Sequence, residues 1–310
     1  MIESGRMNPS AADDTRPSPT IPPDETRPHS ARILRSRPPR LRVATVVPGA
    51  LLGLLAAIYL LAPIRTNVLV IGTDRRPADA AAAARSDTLI LTTVVPLRPY
   101  VGMLSIPRDL WVDIPGDGPN RINAAFFLAE ARVSGTGPAA TMETVRANFG
   151  VDVDGYLRIE FSEFVRFVDI LGGVVVDLPA PMSGHPAGPA LLDGAEALAL
   201  VRDRRGSDDF FRMERGQIFL RSLLGAAASP RTWPRWPAAL LALLAAVNTD
   251  VPVWQWPRLG FALLRAGPDG IDGRVIGREM VSGFTTDAGA QVLAPDWARI
   301  NPVLLEMFGQ

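Results

Sequence analysis

The run "VATVVPGALLGLLAAIYLLAPI", Val43 to Ile64, holds 22 residues without a charge. About 20 apolar residues suffice to cross a bilayer as a helix, so this stretch constrains what lies on either side of it. Six arginines (Arg27, Arg32, Arg35, Arg37, Arg40 and Arg42) crowd its N-terminal flank, and Arg65, Arg75 and Arg76 follow it. Excess positive charge stays on the cytoplasmic side, which directs the N-terminus inward and everything after Ile64 outward. A cleaved signal peptide usually has a shorter apolar core and a small-x-small cleavage site, and no good site follows Leu61. The expected organisation is therefore a disordered cytoplasmic tail over 1–42, one transmembrane helix over 43–64 and a folded extracytoplasmic domain over 65–310. The tail is rich in Pro, Ser, Asp and Arg and has no aromatic residue, so it lacks the material for a core.

Charge and composition exclude some functions. The formal net charge is +0, which gives no support for nucleic-acid binding. The chain has no cysteine, and hence no disulfide, zinc-thiolate site or cysteine nucleophile. It has two histidines, His29 in the tail and His185 in a Pro/Gly loop, neither well placed for catalysis. All 32 positive charges are arginine, so position rather than number carries information.

Past residue 65, "NVLVIGTD", "DTLILTTVV" and "YVGMLSI" read as buried strands, "LWVDIP" as a short one, and "GYLRIEF" and "VVVDLP" as two more. Helical spacing marks "NAAFFLAEARV", "ATMETVRANFG" and "SEFVRFVDILGG". Gly150 and Gly172 are the expected stops and Ser162 a cap. Asp193 is the expected cap of a short helix in "LDGAEALAL", and the text beyond residue 208 reads as mostly helical. "PAALLALLAAV" is too short to span a membrane and reads as a core helix. Strands mixed with helices in this way predict an α/β domain.

The stretch "VRDRRGSDDFFRMERGQ" raises the main chemical question. Read as extended, "ALVRDRR" puts Arg202 and Arg204 on one face, because side chains alternate along a strand. Ser207 or Asp208 would cap the next helix, on which Arg212 and Arg215 lie three apart. A strand end feeding a helix start suits an anion, and converging guanidinium forks suit a pyrophosphate. A self-paired, solvated charge run is the simpler account of these arginines taken alone. Asp74 and Asp87 close and open two neighbouring strands, with Arg85 beside them. Such a pair can hold Mg2+, or merely cap loops. "LSIPRDLWVDIPGDG" sets Arg108 after a strand, with Asp109 as a possible partner, and "NRINAAF" puts Arg121 and Asn123 at a helix start, Asn123 as the natural cap. Phe164 and Phe167 could line an apolar groove, although plain core is commoner at their spacing.

Taken in order, "VLVIGTDRR", "RSDTLILTTV", "VGMLSIPRDLWVDIPGDGPNRINAAF", "GYLRIEFSEFVRFVDILGG" and "LLDGAEALALVRDRRGSDDFFRMERGQ" resemble the LytR-CpsA-Psr domain from about Asn67 to Leu224. The resemblance implies a three-layer α-β-α sandwich with a central mixed sheet, preceded by one transmembrane helix. It implies an Mg2+-assisted phosphotransferase that moves a glycopolymer from a polyprenyl-pyrophosphate carrier to peptidoglycan and releases polyprenyl phosphate. By position it implies Asp74 and Asp87 for the metal, Arg85, Arg108, Arg202, Arg204 and Arg212 around the pyrophosphate, and Arg121, Asn123, Asp209 and Arg215 toward substrate. The partners it implies are the lipid-linked glycan, peptidoglycan and the lipid bilayer. Two positions depart from the family pattern: Arg121 stands where lysine is usual, and Gly216 where glutamine is usual. Gln217 is a poor stand-in, because one helical step turns a side chain by about 100°. A lipid-binding regulator and a hydrolase of the same lipid stay open as alternatives.

Overall fold

The computed structural model describes residues 43–73, 86–202, 209–267 and 269–309. The chain divides into two units, Met1–Gly49 and Ala50–Gln310. Helix α1 runs Val43–Leu61, 19 residues with Pro48 inside. It stops two residues before Pro63, whose ring disfavours helical backbone in the residue before it. The expected 22-residue span is thus shorter as a helix, and among the described residues no helix is long and apolar enough to cross a membrane.

The remaining elements follow in chain order. Strands β1 (Thr66–Thr73), β2 (Ser86–Val95), β3 (Tyr100–Ile106), β4 (Trp111–Ile114) and β5 (Gly118–Arg121) precede helices α2 (Ile122–Arg132) and α3 (Gly137–Phe149). Strand β6 (Gly155–Glu160) leads into α4 (Phe161–Leu171), β7 (Val174–Leu178), β8 (Gly188–Leu192) and α5 (Gly194–Arg202). Helices α6 (Asp209–Ala228) and α7 (Trp236–Ala246), strand β9 (Val247–Thr249), helix α8 (Trp256–Ala266), strands β10 (Ile271–Val275), β11 (Val281–Thr285) and β12 (Gln291–Pro295), and helix α9 (Trp297–Phe308) complete it.

A six-stranded mixed sheet, in the order β10-β3-β2-β1-β6-β9, forms the centre. Neighbours pair antiparallel except β10 with β3 and β1 with β6. Alternation along β2 decides its two faces. Leu89 and Leu91 pack with Phe126 of α2, Val145 of α3 and Leu304 of α9. Ile90 and Val94 pack instead with Ala262 and Ala266 of α8. Helices therefore cover both faces, and the expected α/β architecture with a central mixed sheet is observed. A further apolar cluster joins α4, β7, β8, α5 and α6 through Val168, Val176, Leu200 and Phe219.

Registers define the ends of the sheet. Thr66 lies opposite Val94, Val95 opposite Tyr100, Val68 opposite Gly155, and Val101 opposite Ile271, so β1 begins where β2 ends and where β3, β6 and β10 begin. At the other end stand Gly72 opposite Thr88, Ile106 opposite Leu89, and Glu160 opposite Thr73.

Helix ends show which local signals held. Gly150 and Gly172 stop α3 and α4 with φ of 64° and 86°, in the left-handed region that favours glycine. Asp193 caps α5 as expected: its Oδ1 accepts from the Glu196 amide at 2.8 Å, and Glu196 Oε2 accepts from the Asp193 amide at 3.0 Å. Ser162 and Asn123 are not caps; they lie inside α4 and α2, whose cap positions are Glu160 and Arg121. The C-terminal text is less helical than expected, since β9 to β12 fall in it. Helix α7 is no core helix either: Ala239 and Ala242 are buried, while Leu240, Leu241 and Leu244 are exposed.

Candidate active site

Three elements deliver charged side chains to the end of the sheet where β1 finishes. Asp87 is the second residue of β2, Arg108 follows β3 in a turn, and Asp209 and Arg212 occupy the first turn of α6. Arg108 Nη1 donates to Asp87 Oδ1 at 3.0 Å, and its Nη2 lies 3.5 Å from Asp209 Oδ1. The same oxygen of Asp209 is 2.7 Å from Arg212 Nη2, which also donates to the Asp87 carbonyl at 3.3 Å. Burial opposes the charge on Arg108, but Asp209, Asp87 and Asp109 outweigh it and hold its pKa above the usual arginine value. The cluster is thus two guanidinium groups laced by two carboxylates, all half-buried.

The cluster sits in the wall of a cavity with about 960 Å³ of empty space, counting its open mouth. Val70 of β1, Ile90 of β2 and Ile159 of β6 supply part of the sheet side, and Phe164 of α4 part of the helical side. Gly72 lets the layers approach: a Cβ there would fall 2.9 Å from the Thr88 Cβ and 3.4 Å from the Phe161 ring. The α6 residues that face the cavity are Asp209, Arg212, Met213, Gly216, Phe219, Leu220 and Leu223. Their spacing of three and four follows one face of a helix. That face is charged in its first turn and apolar beyond it.

Phe164 packs against the apolar cluster of α4 and α6, where it meets Phe219 edge-on with ring centroids 5.2 Å apart, and it also lines the cavity. Phe167 packs against the cluster of α4 and α6, as core residues do. Arg202 is not extended, because α5 continues through it. The Asp193–Glu196 cap and the buried pair Ala197 and Leu200 give that segment helical rather than strand periodicity. Its guanidinium carbon lies 5.1 Å from the centroid of the Phe161 ring, a cavity wall, so Arg202 stands near the site by another route. Arg121 reaches Asp109 Oδ1 at 3.3 Å and donates to the Gln291 carbonyl at 2.8 Å, and Asp109 Oδ2 is 3.6 Å from Arg108 Nε. Arg121 is therefore coupled to Arg108 but, like Asn123, Arg202 and Arg215, does not line the cavity. Asp74, Arg85, Arg204, Ser207 and Asp208 lie outside the described residues.

Position 216 opens onto the cavity, and a Cβ placed there would have nothing within 4 Å. Gln217 points elsewhere: its Nε2 donates to Ser105 Oγ at 2.7 Å and to the Met103 and Arg274 carbonyls at 3.3 Å. It does not replace a side chain at 216. Sequence reasoning missed Met213, Leu220 and Leu223 as cavity residues, although their spacing from Arg212 marks one helical face. Among the described residues no group of three His, Asp or Glu side chains could hold a metal ion.

The model of the LytR_cpsA_psr family matches residues 63–294. The polyisoprenyl-teichoic acid–peptidoglycan teichoic acid transferase TagU of Oceanobacillus iheyensis is 34% identical over 169 residues, covering 53% of this chain and 52% of that protein. The regulatory protein MsrR of Staphylococcus aureus is 28% identical over 196 residues, covering 61% and 57% respectively. The matches thus span little more than half the length of these curated relatives. The crystal structure of TagV from B. subtilis superposes with a TM-score of 0.64 at 24% identity, covering 80% of this chain and 98% of that one, which is a likeness of fold. A family match over that length, on an α/β domain with this sheet, means that the chain belongs to the LytR-CpsA-Psr family.

Proposed function

We propose that the protein is a membrane-anchored phosphotransferase that moves a glycopolymer from a polyprenyl-pyrophosphate carrier to peptidoglycan. The observation that carries this reading is the meeting of Asp87, Arg108, Asp209 and Arg212 at the charged end of an otherwise apolar cavity. A lipid pyrophosphate has the same layout, a dianionic head on a long hydrocarbon chain. The name of the O. iheyensis relative describes the same kind of transfer.

In the reaction, an acceptor hydroxyl oxygen attacks the phosphorus that carries the glycan. A new phosphorus–oxygen bond forms, the bridging bond to the second phosphorus breaks, and polyprenyl phosphate leaves with the electron pair. Such transfer depends on placing the groups and neutralising phosphate oxygens, which guanidinium groups do without a covalent protein intermediate. Arg108 and Arg212 hold the phosphates, and Asp209 fixes the two arginines relative to each other. The hydroxyl proton passes to a carboxylate, Asp74 or Asp87 in this reading.

The ion this reading calls for is Mg2+, which takes one or two carboxylates and completes its shell with water and phosphate oxygens. Asp87, one of two carboxylates on the cavity wall, would hold it with Asp74 as its expected companion. A bound ion would neutralise charge on the phosphates. The anchor in this reading is the segment 43–64, with residues 1–42 inside the cell and 65–310 outside. Its support is the uncharged sequence and the exposed apolar side chains of α1, Val46, Leu52 and Ile58 among them.

The test is the full chain in vesicles with a polyprenyl-pyrophosphate-linked glycan, Mg2+ and a peptidoglycan oligosaccharide, followed by mass spectrometry. A glycan-phosphate adduct on the acceptor, lost in Arg108→Ala, is the expected result. Polyprenyl phosphate without an adduct would replace transfer by hydrolysis. Tight lipid binding without turnover would make the protein a lipid-binding regulator instead.

A further inference from the structure

The end of the sheet opposite the charged cluster carries a different surface. Helix α8 follows β9 and precedes β10, and both flanks lie at the end where β1 begins: Thr249 pairs with Leu157 near the start of β6, and Ile271 pairs with Val101 near the start of β3. The helix thus starts and finishes at that end while packing on the sheet face that holds Ile90 and Val94. Its inner side buries Ala262 and Ala266 against Val101 and Ile90. Outward it shows Leu264, and the short 3-10 turn before it shows Val253 and Trp254 at 74% and 62% exposure.

Neighbouring segments extend this patch. Leu97, in the turn between β2 and β3, is exposed, and Arg265 Nη1 of α8 donates to the Pro96 carbonyl of that turn at 2.9 Å. Ile64, which joins α1 to β1, is also exposed. The Tyr59 hydroxyl of α1 donates to the Trp254 carbonyl, so the apolar helix and the 3-10 turn are joined. Two acids of this region, Asp250 and Asp269, are exposed at its edge, and Asp250 accepts from the Tyr156 amide at 2.7 Å.

We propose that this end of the domain docks flat on a lipid bilayer, with Val253, Trp254, Leu97 and Leu264 in the headgroup layer. The inference rests on the reading of 43–64 as the membrane anchor. The occupant is set by continuity: an apolar helix that enters the bilayer and is tied to Trp254 brings the patch to the lipid surface. Tryptophan is enriched at that level, where its ring meets hydrocarbon and its N–H meets water. Leu264 adds one exposed apolar side chain of α8 to the same face. Docking at this end fixes the domain's orientation and stands the charged cluster away from the surface by the length of β1, roughly 25 Å at about 3.3 Å per residue.

The absence of cysteine allows a direct test, since each substitution creates a unique labelling site. The full chain would carry an environment-sensitive fluorophore at Val253→Cys, at Leu52→Cys in α1, or at Ser282→Cys in β11, which is exposed toward the other end. Each would be reconstituted in phosphatidylglycerol–phosphatidylethanolamine vesicles with nitroxide-labelled lipid. The expected result is a blue shift and strong quenching at positions 52 and 253 and neither at 282. A probe at 253 that stays unquenched while that at 52 is quenched would overturn the docking and leave the anchor intact. Unquenched probes at both positions would overturn the anchor and the docking together. Shielding at 253 that grows with protein concentration and ignores the nitroxide would give the face to a second copy of the chain and also overturn the proposal.

Discussion

Arg212 and Asp209, one turn apart on α6, meet at 2.7 Å, and the Asp209 oxygen between them also faces Arg108 at 3.5 Å. One carboxylate thereby holds two like-charged groups from different parts of the chain side by side. An anion that binds both can use them without first bringing them together, which is the sense in which the site is preorganised.

Asp209→Asn keeps the shape but removes the charge that steadies both arginines. Misplacement of a positioned group by about 1 Å costs on the order of 100-fold, so a loss of 10- to 100-fold in turnover is expected. Substrate affinity and melting temperature should change little. Steady-state kinetics on the variant checks this, and an unchanged kcat would remove Asp209 from the positioning role.

Arg108→Lys is expected to behave almost as Arg108→Ala. Arg108 engages Asp87 and Asp209 through different nitrogens, and a single ammonium cannot reproduce that fork. Loss of a preorganised charge donor gives roughly 100- to 1,000-fold in kcat. Recovery of most activity by lysine, read as polyprenyl phosphate release, would mean that charge alone matters there.

Two glycines make opposite predictions for stability. At Gly194 a Cβ would lie 2.2 Å from the Val165 carbonyl oxygen, so Gly194→Ala must displace backbone and is expected to cost about 1–3 kcal/mol. At Gly216, inside α6 and open to the cavity, alanine is expected to stabilise by about 0.5–1 kcal/mol. Urea midpoints of the two variants beside the parent decide the matter, and equal shifts would contradict the packing described.

Acid should weaken the α2–α3 junction. Burial tends to raise the Glu130 pKa, but the amides of Gly135 and Gly137 and the charge of Arg158 more than offset it and leave it below the ordinary value. A lowered folded pKa adds stability above the unfolded value, near 4.3, that disappears as pH falls through the folded one. Glu130→Gln should lower stability by about 1 kcal/mol at neutral pH and flatten the loss below pH 4.5. Thermal melts of both forms across pH 3 to 7 test this; parallel curves would sink it.

Leu220→Trp fills the apolar end of the cavity without touching the charged end. Long-chain carriers should lose affinity while short-chain analogues keep theirs, measured as KM against chain length. An equal effect on both would place the hydrocarbon elsewhere.

Much of this was legible in the sequence because the signals were local. Gly150 and Gly172 stop their helices, the Asp193–Glu196 pair opens α5, and the branched runs of β1 to β3 became the sheet centre. What misled was context. "ALVRDRR" alternates charge as an exposed strand does, yet the cap upstream carries a helix through Arg202. "IDGRV" is short and polar for a strand, and only pairing with β3 makes it one. Asn123 and Ser162 are good caps in isolation, but preceding strands feed straight into α2 and α4 and set those helix starts instead. Asp87, Arg108, Asp209 and Arg212 were each readable; their convergence depends on sheet order, which no spacing reveals.

The cavity face of α6 runs from Asp209 to Leu223, a rise of roughly 21 Å at 1.5 Å per residue. Because charge is confined to its first turn, an amphiphile can settle along it in one direction only and at one depth. For the proposed lipid-linked substrate, helix α6 would work as a gauge: it would register where an anionic head ends and hydrocarbon begins, whatever sugars hang from the other side. Selection among glycans must then be made beyond that gauge, by whatever meets the acceptor at the cavity mouth.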